Sequence, residues 1–217
     1  MASPPHTLTP DDLIAVAADA RAALEPALSA DWSAPAGDLT WSRRRTLDHM
    51  VDTTLHYAAH VATRATGRLP FVRDGDPARS VPELLSGLTT SAAILAEVCR
   101  AAPPDARGFH PAGMADASGF LAMGCQEILV HTHDITLGLG LPFTPVDPAL
   151  TRRVVARIFP WAPPDGDPWD ALRWAAGRVA LRDRPRLGPD WWWHCAPLSE
   201  WDGTVVRRTA ATPPGWT

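Results

Sequence analysis

The sequence predicts an all-α fold: a four-helix bundle followed by a short C-terminal appendage of helices and extended, Trp-rich chain. Three observations carry that expectation. Four long segments repeat apolar residues at helical spacing, each opens on a capping signature, and Pro- and Gly-rich loops separate them. Runs of strand character come only after residue 190, too few and too late for a sheet protein. The expected division is 1–145 for the bundle and 146–217 for the appendage.

Helix one opens at Thr9-Pro10-Asp11-Asp12, with Pro at the first helical position and acids in the first turn. Leu13, Val16, Ala17, Ala20, Leu24 and Leu28 form its apolar face, which predicts an end near Ala30. Ser33 to Leu39 reads as a loop. Ser42 caps helix two, which runs to Ala65 with Gly67 just past it. Its core arc is Leu47, Met50, Val51, Leu55, Ala58, Val61 and Ala62. His49, Thr53, His56 and His60 form a stripe nearly opposite that arc, so on the wheel alone these histidines read as a solvated face. Gly67 to Arg79 is a loop, and Ser80-Val81-Pro82-Glu83 opens helix three, with Leu84, Leu88, Leu95 and Val98 inward. Pro103-Pro104 ends it, and Pro103 to Ala115 reads as another loop.

Helix four, capped by Asp116 and running through Gly119 to Gly140, carries the chemistry. Glu127, His131 and Asp134 share one stripe, flanked by Phe120, Met123 and Val130 on one side and Gly124, Ile128 and Ile135 on the other. The wheel offers a solvent face elsewhere, made of Gln126, Thr132, His133 and Thr136. An acid on an apolar arc is costly unless a cation, a metal or a donor meets it. An i, i+4 spacing sets Glu127 and His131 about 6 Å apart along the axis, close enough to share an ion. The plainer reading is an intrahelical pair, and two ligands on one helix still need a third from elsewhere. Asp134, one turn after His131, can orient an imidazole by accepting from its ring.

Beyond Gly140 the texture changes. Asp147 to Phe159 reads as a shorter helix, and Asp167-Pro168 starts another through Trp174 to Gly177. The tail from Arg178 to Thr217 holds two β-like runs, Trp191 to Cys195 and Thr204 to Arg208. Six of the ten Trp lie between residues 161 and 193, which asks for a surface to cover, either the bundle or a second subunit in a homodimer.

Composition narrows the partners. All 20 basic residues are Arg, and the net charge of −4 gives no basic footprint for nucleic acid. The N-terminal stretch Met1 to Asp12 lacks the features of a signal peptide, and no long run is continuously apolar, so a cytoplasmic protein without a membrane partner is expected. Cys99, Cys125 and Cys195 share no metal-type spacing and read as buried thiols. His133 and His194 are weak ligand candidates, one off the Glu127 stripe and one in the tail.

Trp41-Ser42 with Thr46-Leu47-Asp48-His49-Met50, and Gln126-Glu127-Ile128-Leu129-Val130-His131-Thr132-His133-Asp134, resemble the two signature stretches of the mycothiol-dependent maleylpyruvate isomerase family. That family sits within the DinB-like superfamily of metal-binding four-helix bundles, and the resemblance covers residues 9–140. Carried over residue by residue, it implies metal ligands His49, Glu127 and His131, leaving His56 and His60 without a role. Leu172 to Arg178, with Pro185 to Asp202, resembles the C-terminal part of actinobacterial members, which makes Arg178 the candidate catalytic arginine.

Two His and one Glu leave a coordination position open, as in catalytic zinc sites. The resemblance thus implies a divalent metal, zinc first and nickel, manganese or iron as alternatives, with mycothiol as co-substrate. A metal-bound thiol is deprotonated, which suits a low-molecular-weight thiol attacking a small electrophile, for S-transfer or isomerisation. A hydrolase or lyase activating water on the same site is the alternative, and a non-catalytic metabolite- or metal-binding protein is the third.

Overall fold

The computed structural model describes residues 7–70 and 77–208. The predicted all-α architecture is present. Helix α1 spans Pro10–Leu24, α2 Arg43–Thr63, α3 Val81–Ala101 and α4 Ala117–Leu139. α1 packs on α3 and α4, and α2 packs on the same two, so the order round the bundle is α1, α3, α2, α4. The caps act as the sequence implies. Thr9 with Asp12 and Ser80 with Glu83 close reciprocal capping boxes, while the Ser42 and Asp116 side chains accept from Arg45 N–H and Gly119 N–H.

Four expectations are corrected. Helix one stops at Leu24 rather than Ala30, because Pro26 has no N–H and the chain tightens into a 3₁₀ turn over Glu25–Ala27. Helix two ends at Thr63, where Arg64 takes the left-handed conformation (φ 49°) that Gly67 was expected to mark. The loop after α3 contains an antiparallel hairpin, β1 Gly108–His110 and β2 Gly113–Ala115. It clasps the end of α2, with Phe109 N–H donating to the Ala65 carbonyl at 2.7 Å. The expected extended runs of the tail do not pair as strands: the described part holds only isolated bridges, among them Trp191 with Arg207. Part of the Gly67 to Arg79 loop (71–76), part of the expected leader-free N-terminus (1–6) and the tail beyond 208 lie outside the described residues.

α5 Pro148–Ile158 and α6 Pro168–Ala175 follow as expected and lie against α4. Their Leu150, Val154, Ile158, Trp169, Leu172 and Trp174 join the bundle core in one cluster. As a result α4 has no solvent face of the kind its wheel predicts. Gln126, Thr132 and Thr136 are buried, and His133 is half-covered by Trp169 at 5.6 Å. The tail is pinned across this side by Arg157, which donates to Ser118 Oγ (2.7 Å), to Asp116, and to the carbonyls of His194 and Cys195. Two glycines let chain lie directly on α4: a Cβ at Gly119 would stand 2.1 Å from the Cys195 oxygen, and one at Gly138 2.6 Å from the Pro35 oxygen. Among the described residues one helix, α3, is long and apolar enough to cross a membrane by length and composition, and its Leu84, Leu85, Leu88 and Leu95 are buried in the bundle core.

Candidate metal centre

His49 stands in the second turn of α2, and Glu127 and His131 stand one turn apart on α4. The packing of α2 on α4 brings the three together, with one potential ligand atom from each lying within 4.8 Å of the other two. Glu127 Oε2 is 3.3 Å from His49 Nε2 and 3.1 Å from His131 Nε2. All three are buried, at 4%, 6% and 9% exposure for His49, Glu127 and His131. The two imidazoles meet nearly edge to face, centroids 5.1 Å apart, and Trp41 packs against His49 at 4.9 Å. Ligand bonds of about 2.0–2.1 Å in a tetrahedron place ligand atoms about 3.3 Å apart, so these two edges fit one small divalent ion. The third face of the cluster opens on a cavity of about 440 Å³.

The surrounding groups hold the cluster in a defined charge state. Burial alone would raise the Glu127 carboxyl, but hydrogen bonds and charge from His131 and His49 drive it well below the usual range. Burial would lower His131, and its bonds to Asp134 and Glu127 reverse that and bring it to about 9. Asp134 accepts from His131 Nδ1 at 3.0 Å, an arrangement that turns Nε2 toward Glu127. Burial opposes the Asp134 charge too, yet the His131 and Arg178 bonds hold it at about 2. Arg178 reaches Asp134 with two parallel bonds, Nε to Oδ1 at 2.9 Å and Nη2 to Oδ2 at 2.8 Å, and Nη1 donates to the Ala176 carbonyl at 2.8 Å. It borders the cavity with three of its five N–H donors engaged by Asp134 and Ala176. That geometry ties Arg178 to the cluster through Asp134 and places it at the cavity wall.

The other histidines lie elsewhere. His60, expected on a solvated face, is fully buried because the hairpin covers it: Gly108 sits so close that a Cβ there would meet the His60 carbonyl at 2.7 Å. The His56 ring lies 4.1 Å from that of His60, and His133 meets Trp169. His194 Nε2 lies 3.0 Å from the Pro197 oxygen. All three cysteines are free and buried, and burial pushes the Cys99 and Cys195 thiols up to about 12 and Cys125 further. None is a thiolate near neutral pH.

Wheel reasoning missed the rest of the cavity. Trp191, Trp193 and Arg208 close it from the tail, and Gln126 faces it from α4. The density of Trp in the tail signals that something is covered, and only the fold says what.

A family model described as the mycothiol maleylpyruvate isomerase N-terminal domain matches residues 13–136. Neither a curated protein nor a solved structure matches the chain. The matched span runs from α1 into the last turn of α4 and contains the whole of the His49, Glu127 and His131 cluster. With more than half of its length in that match, the chain belongs to the mycothiol maleylpyruvate isomerase N-terminal domain family.

Proposed function

We propose that the protein is an enzyme that seats a divalent ion, zinc foremost, on His49, Glu127 and His131, and uses it to present a low-molecular-weight thiol, mycothiol, to a small electrophile. The observation that carries this reading is the buried His-Glu-His cluster with one side open to the cavity. When bound, the ion supplies a Lewis acid that keeps a ligand thiol ionised at neutral pH. The chain's own residues do the rest. Glu127 brings the negative charge that offsets the ion, Asp134 keeps His131 Nε2 turned inward, and Arg178 keeps Asp134 ionised and in place. Trp41, Trp191 and Trp193 supply an aromatic enclosure that limits water around a thiolate. The high thiol pKa values of Cys99, Cys125 and Cys195 favour a nucleophile that arrives from outside.

Transfer and isomerisation share the addition step and differ in whether the thiol leaves again. We place the protein in the cytoplasm, where such thiols are kept reduced, with no nucleic-acid or membrane partner. The test is turnover of an electrophile panel by the metal-loaded protein with and without mycothiol, with mass spectrometry for thiol adducts. Thiol-dependent adduct or isomer supports the reading. Turnover that is indifferent to thiol assigns the site to water activation, and metal binding without turnover makes it a carrier.

A further inference from the structure

Gln126 precedes Glu127 on α4 and faces the same cavity, yet its side chain is nearly enclosed, at 2% exposure. Its one hydrogen bond among the described residues comes from the tail: Trp193 Nε1–H donates to Gln126 Oε1 at 2.7 Å. An indole N–H can only donate, so the atom that meets it must be the amide oxygen, and the orientation of the amide is fixed without ambiguity. The amide nitrogen is thereby turned away from Trp193. Two N–H donors thus stand at the cavity beside the cluster, and no described residue accepts from them. The oxygen is committed to Trp193, and the nitrogen, at the cavity wall, is left to donate to an acceptor bound there.

We propose that Gln126 is a substrate-positioning donor, which binds a carbonyl or amide oxygen on the molecule whose donor atom is seated at His49, Glu127 and His131. The inference rests on the thiol reading above and narrows it: the preferred thiol carries a carbonyl oxygen a few bonds from its sulfur. Trp193 acts through Gln126 by locking the amide. The tail then contributes to recognition as well as to cover, because it sets which way the amide of an α4 residue points.

The test uses the full chain loaded with cobalt(II), whose visible band and thiolate charge-transfer absorption report seating of a thiol. Two probes are titrated, N-acetylcysteamine, which carries an amide oxygen, and 1-butanethiol, which carries none. Gln126→Met should weaken N-acetylcysteamine roughly five- to tenfold, the worth of about one neutral hydrogen bond, and leave 1-butanethiol unchanged. Trp193→Phe, which keeps the Gln126 donor and releases its orientation, should weaken N-acetylcysteamine roughly two- to threefold more than it weakens 1-butanethiol. Comparing the two probes within each variant cancels differences in thiol acidity and any general loosening of the tail. An equal fall on both probes, or a fall on neither, overturns the proposal and returns the Gln126–Trp193 bond to a purely structural tie. Should neither thiol perturb the cobalt spectrum of the unmodified chain, the thiol reading itself fails. Acetate against chloride, which is a single atom, then reads Gln126: a fall in Gln126→Met for acetate only upholds the donor role, and no difference ends it.

Discussion

The cavity has two walls built by different means. One belongs to α2 and α4, where His49, Glu127 and His131 stand on helices fixed by caps and by an apolar core. The other, with Trp191, Trp193 and Arg208, comes from a tail whose described part has little regular structure and is held by a few polar ties, such as Arg157 to the His194 and Cys195 carbonyls and Trp193 to Gln126. Gathering ligand atoms round one ion needs positions good to about 0.5 Å, which helices provide. Enclosure needs bulk, and large aromatic side chains supply it from irregular chain.

Removing one wall should test whether it is only cover. We expect truncation after residue 160 to have the largest effect, because it strips Trp169, Leu172, Trp174, Trp192 and Trp193 from the shared core. A soluble fragment with an unchanged melting temperature would show that the chain up to residue 160 stands without the tail. Damage to the other wall should be local. His49→Ala, Glu127→Ala and His131→Ala should each fold and lose stoichiometric divalent metal by elemental analysis, with affinity down more than about a hundredfold. His56→Ala, His60→Ala and His133→Ala should retain metal, and loss of metal from His133→Ala would show the ligand set to be wrong.

The brace joining the walls should give a smaller effect. Asp134→Asn removes the carboxylate that orients His131 and should weaken metal about 10- to 100-fold in a chelator competition. Arg178→Met should sit at the low end of that range, since it acts through Asp134; an unchanged metal affinity together with lost turnover would instead make Arg178 catalytic.

Smallest per step is the dependence on pH. With no metal bound, His131 keeps its proton up to about 9, so metal must displace it. Affinity should rise about tenfold per pH unit from neutral to about 9 and level off above, as read by metal titration at fixed ionic strength. The sign for stability is opposite. The raised His131 pKa stabilises the metal-free fold fully below the unfolded value of about 6.5, and that contribution is lost as pH rises through about 9.

The helical wall was largely legible in the residues. Caps at Thr9, Ser42, Ser80 and Asp116 and the apolar arcs placed the helices, and the Glu127 and His131 stripe stood out because an acid lay among apolar side chains. His49 was not legible from its wheel, which set it opposite the α2 arc; a wheel ranks faces by apolarity, and a face turned toward a polar cluster scores as solvent. Gln126, Thr132 and Thr136 were misread for the same reason, since what covers them is distant in sequence. The hairpin escaped because strands of three residues carry too little alternation to register.

Two of the three glycines of α4 give this arrangement a scale. At Gly119 the tail's Cys195 carbonyl, and at Gly138 the carbonyl of Pro35 in the segment that leads to Trp41, rest on bare helix backbone. Trp41 and Trp193 stand on the two chains seated there, so the headroom over the cluster is metered by two absent methyl groups. A methyl at either position would displace a whole run of main chain instead of crowding one side chain. The bore of the site is therefore set at points remote from any atom that could touch a ligand, and its gauge is written in residues that have no side chain to mutate away.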